Sequence, residues 1–111
     1  MDQMTLQEKA VREVMEEWLA FLTKRARQDV ELIVDSEKKR FILMSDGWMK
    51  FRRLYGPMID VGIKNGKIWI YEDNTEEGIP DELVAKGIPP QQIVLGWQPE
   101  YKRDLTGFAV G

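Results

Sequence analysis

Residues 58–78 read MIDVGIKNGKIWIYEDNTEEG and contain two runs in which apolar and polar side chains alternate. Such alternation is typical of β-strands, and the Asn65-Gly66 dipeptide between the runs suits a type I′ turn. A two-residue turn fixes the register of the strands, so we expect a β-hairpin with one aliphatic face. The Trp69 ring is expected to lie over Gly62, which has no side chain. The expected cross-strand pairs are Lys64 with Lys67, Ile63 with Ile68, Gly62 with Trp69 and Val61 with Ile70.

The exit of this hairpin, residues 72–77, is the densest acidic cluster in the chain. Carboxylate oxygens are the ligands that Mg²⁺ and Ca²⁺ prefer, and Asp73 and Glu76 are the best candidates for such a site. The spacing does not match an EF-hand loop. The simpler interpretation is that these acids precede a helix, cap its first turn and offset its dipole.

Length and composition indicate a single globular domain, residues 1–111. The chain has 43% hydrophobic and 32% charged residues, which is typical of a folded domain with one modest core. No apolar run approaches the roughly 20 residues of a membrane span. The polar start of the chain does not resemble a secretory signal, and cysteine is absent, so we expect a cytoplasmic protein without membrane contact.

Residue usage also narrows the possible chemistry. The chain has no histidine and no cysteine, which removes the commonest general base, the commonest zinc ligand and every thiol nucleophile. The routes that remain would use carboxylates, Lys, Tyr or a divalent ion bound by carboxylates, and beyond the acidic candidates above we assign no catalytic residue, cofactor or metal. The formal net charge of −3 argues against tight DNA binding by the chain alone, because DNA binders usually carry a basic face.

A long amphipathic helix is predicted over residues 6–25. Thr5 and Glu8 form a capping box, and the apolar residues that follow are spaced by three and four. The apolar stripe is expected to pack on a sheet, with a coiled-coil dimer seam as the alternative. A basic cluster at the end of the helix suits its dipole or, alternatively, contacts phosphate. That cluster comprises Lys24, Arg25 and Arg27.

The rest of the chain completes an α+β prediction. Strands are expected over residues 29–35, 41–48 and 51–64, with a bulge or an edge position at Gly56-Pro57. Together with the second hairpin strand they form a four-stranded antiparallel meander covered by the N-terminal helix. Two short helices follow, each with Pro near its start and Gly past its end. They end near residues 86 and 95, and residues 97–111 form an extended tail whose segment 108–110 is buried.

Four side chains are candidates for contact with a partner protein. Alternation places Arg53 and Tyr55 on one face of their strand and Arg52 on the other. Trp69 and Tyr71 share the hairpin face opposite the aliphatic one, where either a partner or the chain's own tail covers them. A solvated edge strand is the alternative for the two residues of the earlier strand.

With these elements in place, the sequence resembles the XisI family, the excision controlling factors of the cyanobacterial fdxN element. Order and spacing of the shared segments agree over almost the whole chain. Where many members of the family carry histidines, this chain has Glu72 and Gln98. The shared segments are Gly47-Trp48, Arg53, Tyr55-Gly56, Asp60, residues 65–70, Asp73, Thr75-Glu76, Gly78-Ile79, residues 81–84, 87–89, 93–96 and 108–110.

The resemblance implies a small non-enzymatic α+β protein that acts with a partner, XisH, in site-specific excision of a DNA element. A separate recombinase exchanges the strands, so nucleic acid is contacted only indirectly. A homodimer or a higher oligomer is left open. The first alternative is a carboxylate-metal enzyme acting on phosphodiesters through Asp73 and Glu76. A further alternative is direct DNA binding through Arg52, Arg53 and the basic cluster.

Overall fold

A computed structural model describes residues 5–25, 29–76 and 78–111. It has the predicted α+β class, with helices packed on a sheet whose strands lie in the order β1-β2-β3-β4-β5. The first four strands form the predicted antiparallel meander. The elements are α1 (Leu6–Lys24), β1 (Val30–Asp35), β2 (Arg40–Met49), β3 (Arg52–Lys64), β4 (Lys67–Asp73), α2 (Ile79–Ala85), β5 (Ile93–Leu95) and α3 (Glu100–Arg103).

The β3–β4 hairpin has the predicted register, including Gly62 opposite Trp69. Asn65 and Gly66 have φ values of 54° and 75°, as a type I′ turn requires. One detail of the prediction is wrong, because Arg40 and Tyr71, and not the Trp69 ring, lie closest over Gly62. A Cβ on this glycine would be 2.8 Å from Arg40 Cδ and 3.1 Å from Tyr71 Cε2.

Helix α1 begins and packs as the sequence predicts. Thr5 Oγ1 accepts a hydrogen bond from Glu8 N at 3.1 Å, as the capping box requires, and it also donates to Glu8 Oε1 at 3.2 Å. The apolar stripe is buried in the core on the sheet, so it is not a free coiled-coil seam. Its buried residues are Ala10, Val11, Val14, Met15 and Leu22.

The C-terminal part differs from the prediction in two respects. Residues 93–95 were expected to end a helix, but Ile93–Leu95 forms a fifth strand, parallel to β4, after a single 3-10 turn at Pro90–Gln92. Three consecutive apolar residues suit a fully buried strand as well as a helix, and the open edge of β4 selects the strand. The tail is not extended throughout, because Glu100–Arg103 is helical. Ala109 is buried beside β5, whereas Val110 is exposed.

Two bulges shape the sheet. The predicted irregularity at Gly56-Pro57 is confirmed as a bulge that leaves Met58 unpaired between β2 and β3. A second bulge, not foreseen, leaves Tyr71 unpaired and places Asp73 opposite Ile59. Because opposite residues point to the same side of a sheet, Asp73 faces the helical layer with Ile59. Within the described ranges, no helix is long and apolar enough to cross a membrane.

Candidate interaction surface

The β2–β3 hairpin is longer than its neighbours. The last β1–β2 pair is Val30 with Ser45, and the β3–β4 pairing stops at Ile59 with Asp73. Residues 46–57, which we call the arm, therefore form a two-stranded ribbon that pairs with no other described strand, although Asp46 N still donates to Asp29 O at 2.9 Å. A two-stranded ribbon alone is marginally stable, and free strand edges favour contact with another chain. The arm thus extends beyond the described strands that flank the rest of β2 and β3.

One side of the arm carries aromatic and basic side chains. Trp48 lies opposite Arg53, and Asp46 opposite Tyr55, so all four project to one side, as predicted for Arg53 and Tyr55. Arg53 Nη2 donates to Asp46 Oδ1 at 3.1 Å, and its guanidinium carbon lies 4.5 Å from the centre of the Tyr55 ring. Trp48 and Tyr55 are 69% and 65% exposed. Two large, exposed aromatic side chains thus flank Arg53, whose orientation is fixed by Asp46 and Tyr55.

This side of the arm continues into the sheet face that lies opposite α1, which we call the outer face. Phe41 and Leu43 are buried in the core, so alternation directs Ile42 and Met44 to the outer face together with Trp48. Ile33, which is exposed, lies beside Ile42 on the same face. All four predicted contact residues belong to the outer face, three by register and the unpaired Tyr71 by its stacking on Trp69. They are Arg53, Tyr55, Trp69 and Tyr71.

Trp69 and Tyr71 are half-buried on this face, unlike the aromatic residues of the arm. Their rings stack with centroids 6.3 Å apart. Lys64 Nζ lies 4.4 Å and the Arg103 guanidinium carbon 5.2 Å from the centre of Trp69. A Cβ on Gly111 would be 3.8 Å from Trp69 Cη2, so the C-terminal tail packs on this ring. Of the two predicted alternatives, a partner or the chain's own tail, the tail is therefore the one that covers Trp69.

Arg40 organises the centre of the outer face, although it lies outside the strand predicted over residues 41–48. Its guanidinium donates to both carboxylate oxygens of Asp60, at 2.7 and 2.9 Å, and lies 4.7 Å from the centre of the Tyr71 ring. Arg40 Nε and Trp69 Nε1 are buried without a hydrogen-bond partner among the described residues. No local sequence signal marks Arg40, because its partners come from β3 and β4.

The acidic candidate Asp73 has a structural role at the start of α2. Its Oδ1 accepts from Thr75 N at 3.0 Å and from Thr75 Oγ1 at 2.6 Å. Its Oδ2 accepts from the amide of Ile79 at 2.8 Å. Gly78, which precedes the helix, has no side chain to cap it. Asp73 reaches this position through the bulge at Tyr71, so the capping interpretation describes its geometry.

The other predicted charged sites remain dispersed. Glu76 is exposed and makes no hydrogen bond or ion pair with another described residue. Within the described ranges, no group of three or more carboxylates is placed to hold a metal ion. Lys24 and Arg25 are exposed, whereas Arg27 lies outside the described residues. The described part of the basic cluster thus forms no enclosed phosphate site.

The resolved pKa shifts belong to ion pairs that join α1 to other elements. Lys39 Nζ lies 2.8 Å from Glu8 Oε1, and its hydrogen bond lowers the pKa of Glu8 below the ordinary 4.5. Lys86 Nζ lies 3.0 Å from Glu17 and 3.5 Å from Glu13. The hydrogen bond to Glu17 is the main cause that raises the pKa of Lys86 above 10.5. Both shifts favour the charged pairs and do not indicate a catalytic group.

The fold and its exposed arm define a small α+β protein with a mixed five-stranded sheet. The family model described as "XisI protein" matches residues 1–110, and the chain belongs to the XisI family. A crystal structure of a XisI-like protein from Anabaena variabilis superposes with a TM-score of 0.86 at 32% identity, covering 96% of this chain and 100% of that one. No curated protein matches the chain.

A second solved structure is similar over nearly the whole chain. It is the fdxN element excision controlling factor XisI from Anabaena variabilis, with a TM-score of 0.80 and 32% identity over 99% of this chain and 100% of that one. The resemblance inferred from the shared segments is thereby confirmed at the level of the family.

Proposed function

We propose that this chain is a non-enzymatic accessory protein that binds an XisH-like partner during site-specific excision of a DNA element. One observation carries the proposal: this chain presents two exposed aromatic rings, and an arginine oriented by its neighbours, on a projecting arm. The residues of this contact are Trp48, Arg53 and Tyr55. The similar structure from Anabaena variabilis is an excision controlling factor, which supports the same role for this chain.

The geometry of the arm suits a binding site. Aromatic side chains and arginine supply most of the binding energy at protein interfaces. Arg53 is already oriented by Asp46 and by the Tyr55 ring, so binding orders it further at little entropic cost. The apolar side chains Ile42 and Ile33 extend the contact along the outer face. Trp69, beneath the tail, and Tyr71, beneath Arg40, support this face, and their own role in binding stays a prediction.

An indirect role at DNA agrees with the chemistry of the chain. The sequence has no histidine or cysteine and a net charge of −3. Both carboxylate oxygens of Asp73 are occupied by hydrogen bonds from the protein. We therefore propose that strand cleavage and exchange belong to other proteins. We propose a cytoplasmic location, because excision takes place where the DNA is.

The proposal is tested by binding of the XisH-like protein encoded in the same genome. Calorimetric titration is expected to give a complex at micromolar concentration that Tyr55→Ser weakens by at least about tenfold. Tyr101→Ser is the matched control, because Tyr101 is also an exposed tyrosine, 75% accessible, but lies on α3. No complex with the unmodified chain, or equal losses for the two variants, would contradict the proposal.

A further inference from the structure

The tip of the arm is built against local preference. Lys50 and Phe51 form a two-residue turn between β2 and β3, and Lys50 has a φ of 56°. Such positive φ values favour Gly, Asn or Asp, as at Asn65-Gly66, and are unfavourable for a lysine. Phe51 is 99% exposed. A strained turn that displays a phenylalanine in solvent points to a binding role for the tip.

The tip is also basic. Lys50 and Arg52 flank Phe51, and neither forms an ion pair with any described residue. Arg52 lies opposite Met49, on the side of the arm away from Arg53. The Lys-Phe-Arg tip is therefore a separate feature from the aromatic side of the arm that we propose for the XisH-like partner.

A groove of complementary character lies between α1 and α2. Its volume is about 340 Å³, and among the described residues it is lined by Glu17, Trp18, Phe21 and Glu82. The two aromatic rings meet edge to face, 5.6 Å apart, and Phe21 is half-exposed. Trp18 Nε1 donates to Glu82 Oε2 at 2.7 Å. The groove therefore has aromatic walls with carboxylates beside them.

We propose that the tip of the arm docks in the α1–α2 groove of a second copy of this chain, and that two copies exchange arms reciprocally. Phe51 packs against Phe21 and Trp18, while Lys50 and Arg52 lie near Glu17, which pairs with Lys86 at 3.0 Å within its own chain. The chain does not fill its own groove, since its own Phe51 is almost wholly in solvent. An exchange of identical arms is isologous and closes at two copies.

Size and charge favour a second copy as the occupant. A cavity of about 150 Å³ already accommodates benzene, so the groove of about 340 Å³ holds a phenyl ring. The arm has three cations, Lys50, Arg52 and Arg53, against the single carboxylate of Asp46, whereas the whole chain has a net charge of −3. The rest of the chain is correspondingly acidic, so each copy presents both halves of an electrostatically complementary contact.

The test is a complementation experiment on oligomeric state. We expect sedimentation equilibrium at micromolar concentration to give twice the 13.0 kDa mass of the chain. Phe51→Ser and Phe21→Ser each alter both contacts of a homodimer, and each contact loses roughly 10- to 100-fold in affinity. Both side chains are substantially exposed, so thermal unfolding of the monomers should change little. Tyr101→Ser should leave the dimer intact.

Mixing the two variants separates arm exchange from every other dimer. In the mixed dimer, the arm of the Phe21→Ser chain meets the groove of the Phe51→Ser chain, and one contact is native. The other contact lacks both rings, and the two losses are not additive because the rings touch each other. The mixture should therefore associate roughly 10- to 100-fold more tightly than either variant alone.

Three results would overturn the proposal. The first is a monomeric unmodified chain at micromolar concentration. The second is a dimer that forms no more tightly on mixing, since arms that pair with each other predict no gain. The third is a monomer whose tip binds a labelled DNA duplex in a manner dependent on Phe51. None of these measurements uses the XisH-like protein, so they are independent of the proposed function.

Discussion

Replacing Asp73 by alanine distinguishes a helix cap from a metal site. The substitution removes the acceptor for the amides of Thr75 and Ile79 and for the Thr75 hydroxyl. Loss of a helix cap costs about 1 kcal/mol. Ile79 is 1% exposed, and leaving the polar amide of such a residue without a partner costs about 1–3 kcal/mol. The two effects overlap, so we expect the free energy of unfolding to fall by about 2–3 kcal/mol.

The measurement is urea unfolding of the unmodified chain, the Asp73→Ala variant and the matched control Glu76→Ala. Glu76 is an exposed acid of the same cluster, and its removal should change the free energy of unfolding by less than about 0.5 kcal/mol. The midpoint of the Asp73→Ala transition should move to lower urea with an unchanged slope, because a lost cap alters stability and not the surface exposed on unfolding.

Repeating the titrations with millimolar Mg²⁺ tests the competing hypothesis. A metal that binds the folded chain stabilises it by mass action, whereas a carboxylate already occupied by amides leaves no such gain. The capping account predicts equal stability with and without Mg²⁺. It would be refuted if Asp73→Ala matched the unmodified chain, or if Mg²⁺ stabilised the unmodified chain but not the variant.

Two further predictions concern the packing of the sheet and the ion pair on α1. Gly96→Ala should lower the free energy of unfolding by roughly 1–3 kcal/mol, because its Cβ would lie 2.9 Å from the carbonyl oxygen of Ile70 and disturb the β4–β5 pairing. The control is Gly47→Ala, whose Cβ would have its nearest neighbouring atom 3.6 Å away. This control should be nearly neutral in the same urea titration. The pKa of Glu8 is lowered below 4.5 by Lys39, so the pair stabilises the fold above about that pH, and the contribution disappears as pH falls through the folded value. The stability difference from Glu8→Gln, below about 1 kcal/mol for such a partly exposed pair, should therefore shrink on acidification, and a difference that grew would show that the sign is wrong.

Sequence reasoning placed the candidate contact residues on the correct side of the sheet, and their role in contact stays a prediction. Alternation correctly placed Arg53 and Tyr55 on one side of their strand. It missed Trp48 as an exposed residue, because a tryptophan in a strand is buried by default. The signal was the length of β2 and β3, which extend beyond the residues that pair with β1 and β4. Comparing strand lengths along a predicted meander would have indicated the arm.

Short-range chemistry was sufficient for the hairpin, the first helix and the bulge after Gly56. A turn dipeptide, a capping box and a proline act on residues within a few positions, so their effects can be predicted from the sequence. The other features of the fold depended on long-range packing. Ile93–Leu95 became a strand because β4 offered an unpaired edge, and a bulge at Tyr71 turned Asp73 toward α2. Both outcomes depend on partners distant in sequence, whose positions are fixed when the core is packed.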